Sequence, residues 1–543
     1  MISFRRASQF VSLILFLLLL GIAIHTRSTP ASLDLYLRLD PALIALSVIG
    51  ARMLDAAFIP VLIVLIITPI FGRAFCGYLC PMGTTLDCSD NIFGISYEKQ
   101  FESNRLKATK YLVLFFLFGA AITGVSFVFI AAPLSLITRF YGLFLYPLLA
   151  FLANESLRNI RPLAEWLDIL PIALMQIPTP RFGTQIFIIA FFGALFTLAR
   201  VSPRFWCRNL CPSGAIMALL SKKPFICRCV SEGCTECGKC VRACPMGAIL
   251  AKNPRITHHE ECITCRTCEK VCPENVISFS HAKTGCKSET REPAYSRRQF
   301  MITGLIGVGT AVTNLTSLSS LYGNPGPGQV TTPGLIRPPG ALPEMDFLSH
   351  CVRCGECMAA CPTNTLQPIW LKAGFLGLFS PALTPRRGYC SPECHKCGEV
   401  CPTDAIQRLS SNERIWAKTG TAMIFRRKCL AWEHQKSCMV CDEVCPFKAV
   451  EFMKEPGNPV TVPLVREEKC AGCGYCEHFC PVQNQSAIQV TPMGALRMSE
   501  GSYEAQGKRQ GLNLSIKPKS GDGTQQEGKD QGKGFAPGFE VDK

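Results

Sequence analysis

The chain has 543 residues, enough for several domains, and its mean hydropathy of +0.22 is high for a soluble protein. Its 32 cysteines are too many for an ordinary cytosolic core and too regularly spaced for a secreted disulfide scaffold. The net charge of +16 would suit a nucleic-acid partner. However, the basic residues flank apolar segments or lie in a polar tail, so we expect no nucleic-acid partner.

Residues 1–222 are predicted to form an all-α membrane domain with about four transmembrane helices. The predicted spans are residues 10–24, 56–71, 110–131 and 184–199. The pattern of residues 33–49 indicates an interfacial helix. Residues 134–152 are apolar but contain Arg139 and Pro147, so we expect a re-entrant or interfacial segment there.

One short pattern occurs twice in this domain. Motif A reads Arg73-x-Phe75-Cys76-x3-Cys80-Pro81-x-Gly83, and motif B reads Arg204-x-Trp206-Cys207-x3-Cys211-Pro212-x-Gly214. Each copy follows a predicted span, so we expect both on the same, positively charged side of the membrane. The four cysteines form a candidate additional redox or metal site, the alternative being tight turns that only pack: Cys76, Cys80, Cys207 and Cys211.

Residues 223–290 contain two matched cysteine runs, each ending in Cys-Pro. This spacing is typical of a bacterial two-cluster ferredoxin, in which the fourth cysteine of each run binds the other run's [4Fe–4S] cluster. Structural zinc fits the spacing poorly. The predicted ligands of the two clusters are Cys234, Cys237, Cys240 and Cys272, and Cys262, Cys265, Cys268 and Cys244.

Residues 291–322 begin with Ser296-Arg297-Arg298-Gln299-Phe300 and continue as a weakly apolar stretch. The pattern resembles a twin-arginine export signal at an internal position, and we expect the stretch to remain as an anchor helix. The alternatives are an ordinary fifth helix behind a basic stop, or a loop. Residues 323–345, rich in proline and glycine, are predicted to be a linker.

Residues 346–495 contain four further runs. Their sixteen cysteines imply four more [4Fe–4S] clusters, six in all. Two pairings of the runs remain open: the first with the fourth, enclosing the other two, or sequential pairing. The predicted ligands are Cys351, Cys354, Cys357 and Cys361; Cys390, Cys394, Cys397 and Cys401; Cys429, Cys438, Cys441 and Cys445; Cys470, Cys473, Cys476 and Cys480.

The remaining cysteines have no assigned role: Cys88, Cys227, Cys229 and Cys286. Residues 496–543 are predicted to be a disordered tail. The fold class is therefore an all-α membrane domain followed by α+β ferredoxin-like [4Fe–4S] domains. No catalytic acid or base is identifiable, and the scattered histidines do not suit a two-haem cytochrome b.

Residues 1–290, through motifs A and B and the following ferredoxin unit, resemble the NapH-type membrane quinol dehydrogenases. Residues 295–495 resemble the NapG/MauM-type four-cluster polyferredoxins, so the chain looks like a fusion of the two. The resemblance implies a multi-pass protein of the bacterial cytoplasmic membrane, with its first ferredoxin domain cytoplasmic and its second periplasmic. It also implies electron transfer between membrane quinol, a candidate substrate, and a periplasmic redox partner protein.

Two other functions remain open at this point. The motifs and first ferredoxin unit also resemble copper-oxidase maturation and nitrous-oxide regulon proteins, which suggests an assembly or regulatory factor for a metalloenzyme. That class is not expected to carry a four-cluster polyferredoxin. A structural zinc-ribbon membrane protein is the third hypothesis, and iron and sulfide analysis would separate it from the other two.

Overall fold

The computed structural model describes residues 4–25, 35–52, 59–94, 104–169, 175, 177–281, 295–322, 335–370 and 374–516. Residues 323–334 of the predicted linker lie outside the described residues, as does Cys286. The linker prediction was wrong for residues 335–345, which belong to the ordered C-terminal unit: Ile336 is buried and pairs with Leu383, and buried Arg337 pairs with Glu344. The predicted domain boundary at 222 falls next to a segment without regular secondary structure, and the one at 290 lies outside the described residues.

The described residues of the N-terminal part form helices joined by turns and short coils, because long runs of apolar residues can bury their backbone polar groups only in helices or sheets. Its longer helices are Phe4–His25, Pro41–Ala51, Ile59–Phe71, Pro81–Phe93, Asn104–Ile122, Tyr146–Trp166, Gln185–Thr197 and Pro212–Leu220. Its short helices and turns are Leu35–Arg38, Ala74–Tyr78, Val128–Ile130, Pro133–Arg139, Phe140–Leu145, Leu198–Arg200 and Phe205–Asn209.

The first helix, Phe4–His25, defines two ends of this bundle. Near its start, Ser8 donates a hydrogen bond to the Tyr78 carbonyl in motif A (3.3 Å). Near its finish, the Ile24 carbonyl accepts a hydrogen bond from Lys396 of the C-terminal cysteine-rich unit (3.2 Å). The helix has 22 residues and is about 33 Å long at 1.5 Å per residue, and the two contacts lie about 24 Å apart along it.

The ferredoxin unit at 226–281 packs on the end that holds motif A. Thr264 donates to the Phe71 carbonyl (2.8 Å), and Tyr78 donates to the Thr264 carbonyl (3.0 Å). The C-terminal unit packs on the other end, where Ser135 donates to the Val352 carbonyl (2.8 Å). The two cysteine-rich units therefore lie at opposite ends of one helical bundle.

Two described helices are long and apolar enough to cross a membrane, Phe4–His25 and Pro133–Pro162. Of the four predicted spans, only the first coincides with such a helix. The described helices at the second and fourth, Ile59–Phe71 and Gln185–Thr197, have 13 residues each. The third prediction, 110–131, was wrong in its bounds: the helix is Asn104–Ile122, and the chain turns at Gly124, whose φ is +84°.

Residues 134–152, predicted to be a re-entrant or interfacial segment, form a continuous helical segment. Pro147 cannot donate the usual hydrogen bond and its ring would crowd the carbonyl four residues earlier. The preceding turns, Phe140–Leu145, widen into a π-helix, in which Tyr146 donates to the Tyr141 carbonyl. The helix therefore passes the proline without breaking.

Both flanks of this segment nevertheless contact the same end of the bundle. Ser135 binds the C-terminal unit, and the Arg181 carbonyl accepts a hydrogen bond from Gln367 of that unit (3.1 Å). Ser135 and Arg181 therefore both lie at the end of the bundle that holds the C-terminal unit.

The helix Arg297–Tyr322 packs in parallel along Asn104–Ile122. Tyr295 lies at the start of both helices, where its hydroxyl donates to the Arg105 carbonyl (3.2 Å). A Cβ on Gly119 would collide with the Gly304 backbone, and one on Gly307 would collide with the Phe116 carbonyl. Small residues thus let the two backbones touch. The helix begins at the first ferredoxin end and runs toward the other.

Each cysteine-rich unit is built from short helices and two-stranded antiparallel sheets. In the first unit strand Ile226–Val230 pairs with Ile277–His281. The later pairs are Leu366–Pro368 with Pro381–Leu383, Thr421–Ile424 with Ile488–Thr491, and Val450–Lys454 with Thr461–Val465. The described helices and 3₁₀ turns are Lys239–Arg242, His259–Glu261, Thr267–Lys270, Glu344–His350, Glu356–Ala359, Phe375–Gly377, Lys396–Glu399, Ser411–Trp416, Arg426–Lys428, Val440–Glu443 and Tyr475–Phe479.

The predicted start of the disordered tail, residue 496, was too early. The helix Tyr503–Arg509 packs against the helix Ser411–Trp416, and Tyr503 is buried. Ser502 caps the helix by accepting from the Ala505 amide, and its hydroxyl donates to Glu413 (2.6 Å). The ordered unit therefore extends at least to residue 516.

Candidate cluster-binding sites

The cysteines of the first ferredoxin unit fall into two groups. Four of them line one cavity: Cys244, Cys262, Cys265 and Cys268. Cys234 and Cys237 lie near Cys240: burial raises the pKa of Cys240, and these two thiols add to that effect. Cys272 packs in a small apolar cluster together with Cys240, Cys244 and Cys268. Cys244, the fourth cysteine of the first run, thus lies with the second run, as a two-cluster ferredoxin requires.

In the C-terminal unit, the third and fourth runs exchange their last cysteines. One cavity is lined by Cys445, Cys470, Cys473 and Cys476. A second cavity is lined by Cys429, Cys438, Cys441 and Cys480. The strands Thr421–Ile424 and Ile488–Thr491 pair outside both runs and hold the beginning and end of this half together.

The first and second runs exchange in the same way. Burial raises the pKa of Cys354 and of Cys357, and nearby Cys401 adds to that effect. Burial likewise raises the pKa of Cys390 to about 11 and also raises that of Cys394, and nearby Cys361 adds to both shifts. The pairing is therefore sequential, and the nested alternative is not the one that the structure adopts.

The two halves meet through the backbone of their cysteine runs. The Cys390 amide donates a hydrogen bond to the Cys473 carbonyl (2.8 Å). Cys397 and Cys357 are also neighbours, since Cys397 raises the pKa of Cys357. The four groups thus follow one another in a row. The row begins with the group of Cys351, next to the helical bundle, and ends with the group of Cys429.

Several groups donate hydrogen bonds to cysteine sulfurs, and the sequence alone did not predict them. The buried Arg228 guanidinium faces Cys240 Sγ at 3.6 Å, and Arg414 faces Cys390 Sγ at 3.0 Å. Backbone amides also donate to sulfur, as from Ala449 to Cys445 (3.3 Å). Such hydrogen bonds raise the reduction potential of an iron–sulfur cluster. Both arginines lie outside the cysteine runs they serve, so no local pattern marks them.

A [4Fe–4S] cluster suits these groups better than a single ion. A structural metal ion needs its ligands about 2.3 Å from one point. No three metal-ligating side chains within the described residues are arranged in that way. A cubane spreads its four thiolates over four irons, and cavities lined mainly by cysteine and apolar side chains leave room for it.

Motifs A and B form one interlocked site at the first ferredoxin end of the bundle. The fully buried Arg204 donates to the Cys76 carbonyl (3.0 Å), and the fully buried Arg73 donates to the Cys207 carbonyl (3.4 Å). Each motif therefore binds the other through the same residue. The repeat predicted that the two copies share a side, and these contacts place them together.

The last glycine of each motif makes this exchange possible. A Cβ on Gly214 would lie 2.5 Å from the Arg73 guanidinium. A Cβ on Gly83 would lie 2.8 Å from the Cys76 carbonyl oxygen. Any other residue would displace an arginine or the motif backbone, which explains why the pattern ends in glycine.

Each motif arginine is paired with a carboxylate that a second cation also contacts. Buried Glu261 of the first ferredoxin unit accepts from Arg73 (2.9 Å) and Lys110 (2.6 Å). Half-buried Asp87 accepts from Arg204 (2.7 Å) and Arg5 (2.5 Å). The Glu261 pairs are shielded from water, so they fix the position of the ferredoxin unit against motif A.

The four motif cysteines lie together between these arginines. Cys80, Cys207 and Cys211 are buried, and Cys76 Sγ lies 3.5 Å from the Met217 sulfur. Burial raises the pKa of Cys207 to about 12, and the nearby Cys76 thiolate adds to that effect. Burial and the same neighbours raise the pKa of Cys80 and of Cys211 well above the ordinary range.

The histidines within the cysteine runs and the unassigned cysteines lie outside the cluster groups. His395 pairs with Glu399 (3.1 Å), and His478 packs edge-on against Phe479, so neither lies as a cluster ligand. Cys88 is exposed on the helix that follows motif A. Cys227 and Cys229 lie on the strand Ile226–Val230.

Comparisons with known proteins match both parts of the chain. A family model described as a 4Fe-4S binding domain matches residues 56–98 and 184–227, which contain motifs A and B. A model described as a 4Fe-4S dicluster domain matches residues 233–277 and 261–366.

Relatives match about a third of the chain. The methylamine utilization ferredoxin-type protein MauM of Paracoccus denitrificans is 36% identical over 204 residues, which are 36% of this chain and 88% of MauM. The ferredoxin-type protein NapG of Escherichia coli is 34% identical over 188 residues, 33% of this chain and 79% of NapG. The ferredoxin-type protein NapF of the same organism is 31% identical over 147 residues, 27% of this chain and 80% of NapF. The chain is an iron–sulfur electron-transfer protein and belongs to the family of ferredoxin-type proteins that includes MauM and NapG.

Proposed function

We propose that this protein is anchored in the bacterial cytoplasmic membrane and passes electrons between membrane quinol and a periplasmic redox protein. The observation that carries the proposal is the position of the two cysteine-rich units at opposite ends of one helical bundle. The first helix, which reaches from one end to the other, is about 33 Å long, close to the roughly 30 Å thickness of a bilayer's hydrocarbon core.

The outer surface of the bundle supports a membrane location. Large apolar side chains point outward from several helices, among them Val11, Leu62, Ile66, Ile186 and Leu305. A surface of this kind in water would be an aggregation liability, whereas it matches lipid. The short helices Ile59–Phe71 and Gln185–Thr197 would then cross together with their neighbours, as parts of one multi-pass bundle.

The helix Arg297–Tyr322 supports opposite locations for the two units. Arg297 and Arg298 are exposed at the end of the bundle where the first ferredoxin unit lies. The helix then runs along Asn104–Ile122 to the other end. A twin-arginine signal fits this arrangement, because that route exports folded domains already loaded with clusters.

The chain would hold six [4Fe–4S] clusters in the groups described above. When bound, each cluster supplies a one-electron redox couple. The protein holds the groups in a row, donates hydrogen bonds to their sulfurs and covers them with apolar side chains. The last group, with Cys438 and Cys441 partly exposed, is suited to meet a soluble partner.

Reduction of the purified protein by a menaquinol analogue tests the proposed donor. Full-length protein in detergent or lipid nanodiscs is mixed anaerobically with the quinol, and the visible absorbance of the clusters is followed. Bleaching that requires the quinol supports the proposal. Bleaching by dithionite and none by quinol would contradict it and favour a role in assembly or regulation of a metalloenzyme.

A further inference from the structure

An aromatic patch, formed by Trp370, Phe379 and Phe187, joins the C-terminal unit to the outer surface of the helical bundle. Trp370 comes shortly after the strand Leu366–Pro368, and its ring meets Phe187 of the helix Gln185–Thr197 edge-on, with the ring centroids 5.1 Å apart. Phe379 packs against both rings, 5.8 Å from Trp370 and 5.4 Å from Phe187. The patch therefore fixes Trp370 beside the first turn of that helix.

The outer side of the patch is exposed and adjoins further apolar surface. Trp370 is 43% exposed and Phe187 is 40% exposed, while Phe379 lies buried beneath them. Ile186, next to Phe187 in the chain, is 83% exposed. One exposed tryptophan is ordinary on a soluble domain, but this one continues the apolar outer surface of the bundle, which the proposed function assigns to lipid.

The level of the patch along the bundle fits the boundary between lipid headgroups and acyl chains. The helix Gln185–Thr197 runs from the end that holds the C-terminal unit toward motif B, so Ile186 and Phe187 lie in its outermost turn. Tryptophan is enriched at this depth of a bilayer, because its ring is mainly apolar and its indole N–H can remain hydrated.

Cations lie just beyond the patch, where headgroup phosphates would be. Arg181, before the helix begins, and Arg387 of the C-terminal unit are both exposed. The Arg387 guanidinium donates to the Arg181 carbonyl (3.0 Å), which holds this cation at the end of the apolar surface. A guanidinium has further N–H donors for a phosphate, and basic side chains at the ends of membrane helices ordinarily reach the headgroups.

We propose that Trp370 inserts into the headgroup–acyl boundary of the outer leaflet, with Arg387 bound to a lipid phosphate beside it. The contact rests on the proposed function, since it requires the bundle to span a bilayer. Trp370 follows Cys361 in the chain and Arg387 precedes Cys390, so the cluster group that these two cysteines share would lie near the lipid. The last cluster group of the row would lie farther from the membrane.

Photo-crosslinking lipids test this contact in the full-length protein, purified anaerobically and reconstituted into nanodiscs. One phosphatidylcholine carries a diazirine at the headgroup end of its acyl chain, a second carries it at the chain end, and mass spectrometry identifies the labelled residues. The first lipid should label Trp370 and Ile186. The second should label Ile14, which is 57% exposed in the middle of the first helix, and leave Trp370 at background.

Phe425 is the control for exposure alone. It is as exposed as Trp370 (43%) but lies next to Ile424, which lines the cavity of the last cluster group, so it should stay at background with both lipids. Labelling of Ile14 and Ile186 with Trp370 at background would overturn the contact and leave the membrane location standing. Equal labelling of Trp370 and Phe425 would also overturn it. Absence of label from Ile14 and Ile186 would overturn the membrane location itself, and the contact with it.

The variant Arg387→Gln tests the headgroup contact separately. It should lower the labelling of Trp370 by the first lipid, because no cation then holds a phosphate beside the ring, while the labelling of Ile186 is retained. Arg427→Gln, which changes an exposed arginine near the last cluster group, is the matched control and should label like the wild type. Unchanged labelling of Trp370 in Arg387→Gln would overturn the assignment of Arg387 to a lipid phosphate.

Discussion

Individual buried charges hold the first ferredoxin unit on the helical bundle. Glu261 joins two elements distant in sequence, since it accepts from Arg73 and Lys110, and all three side chains are almost completely buried. A buried ion pair adds little net stability, but removing one partner leaves charges that neither water nor protein compensates. The contact therefore specifies where the unit docks.

Replacing Glu261 by Gln should lower the free energy of unfolding by about 3–5 kcal/mol, because both cations lose their counter-charge in a buried site. Glu269→Gln is the matched control in the same unit. Glu269 pairs with Arg266 at the surface, and exposed pairs contribute at most about 1 kcal/mol. Thermal unfolding of both variants in detergent checks the prediction. Equal losses would mean that the Glu261 contact is not specific.

A second residue-scale prediction concerns acid sensitivity. His259 is buried, and burial together with Arg228 and His258 lowers its pKa from 6.5 to about 4. The unfolded chain binds this proton below pH 6.5 while the folded chain does not. The contribution of neutral His259 to the free energy of unfolding is thus fully present above pH 6.5 and declines as the pH falls toward 4.

His259→Gln should remove this part of the pH dependence, which amounts to about 2 kcal/mol between pH 7 and pH 5. Unfolding midpoints of wild type and variant are compared across that range, with the exposed His434→Gln as control. If the unfolding midpoint of His259→Gln falls with pH as steeply as that of the wild type, other groups cause the acid sensitivity.

At the scale of elements, close packing of glycine faces holds the helix Arg297–Tyr322 on Asn104–Ile122. Such a pair has little apolar driving force in lipid and depends on backbone approach. The same helix carries two kinds of glycine. Gly307 faces the Phe116 carbonyl, whereas nothing lies within 4 Å of a Cβ on Gly309.

Gly307→Ala should therefore push the two helices apart and cost about 1–3 kcal/mol, the usual cost of overpacking. Gly309→Ala should cost nothing or stabilise slightly, because alanine favours helix. Protease resistance and thermal unfolding of the two variants in detergent check this. Indistinguishable behaviour would show that the helix does not pack where the structure places it.

The sequence predicted the ligand groups because cluster spacing is local, but it could not choose between two pairings. Spacing within a run says nothing about which run lies beside it, and that choice depends on distant contacts such as Cys390 with Cys473. Arg414 and Arg228 were missed for the same reason. The tail helix Tyr503–Arg509 was missed because its polar composition hides the tertiary contacts that hold it.

Helix lengths were also predicted imperfectly. The apolar run 110–131 continues past the helix end at Ile122 because the following residues, among them Phe127 and Phe129, are buried in the bundle. The apolar character of this run therefore indicated that its residues are buried, and not that the helix continues. Pro147 does not interrupt its helix, because a π-helical turn removes the steric conflict that makes proline a helix breaker.

At the scale of the whole molecule, the account requires two cysteine-rich units on opposite faces of a membrane. Replacing Arg297 and Arg298 by Lys keeps the charge but should abolish a receptor-read export signal. We expect the C-terminal unit to become inaccessible to protease added to spheroplasts, while its clusters still assemble. Arg105→Lys, at the same end of the bundle, is the matched control and should leave the unit accessible.

Protection of the wild-type C-terminal unit from external protease would contradict this topology. Both units would then be cytoplasmic, and the protein would pass electrons between quinone and a cytoplasmic partner. The contacts of each unit with its own end of the bundle would then need another explanation, because the first helix, which reaches from one end to the other, is about 33 Å long.

Electron passage from one end of the molecule to the other is the central claim, and sealed inverted membrane vesicles test it most directly. The first ferredoxin unit then faces the outer medium, and dithionite, which does not cross the bilayer, is added anaerobically. Reduced clusters are counted by electron paramagnetic resonance after freezing. The account predicts that the clusters of the enclosed C-terminal unit become reduced while the vesicles remain sealed. Reduction of the first unit alone, with the C-terminal clusters oxidised until detergent opens the vesicles, would contradict it.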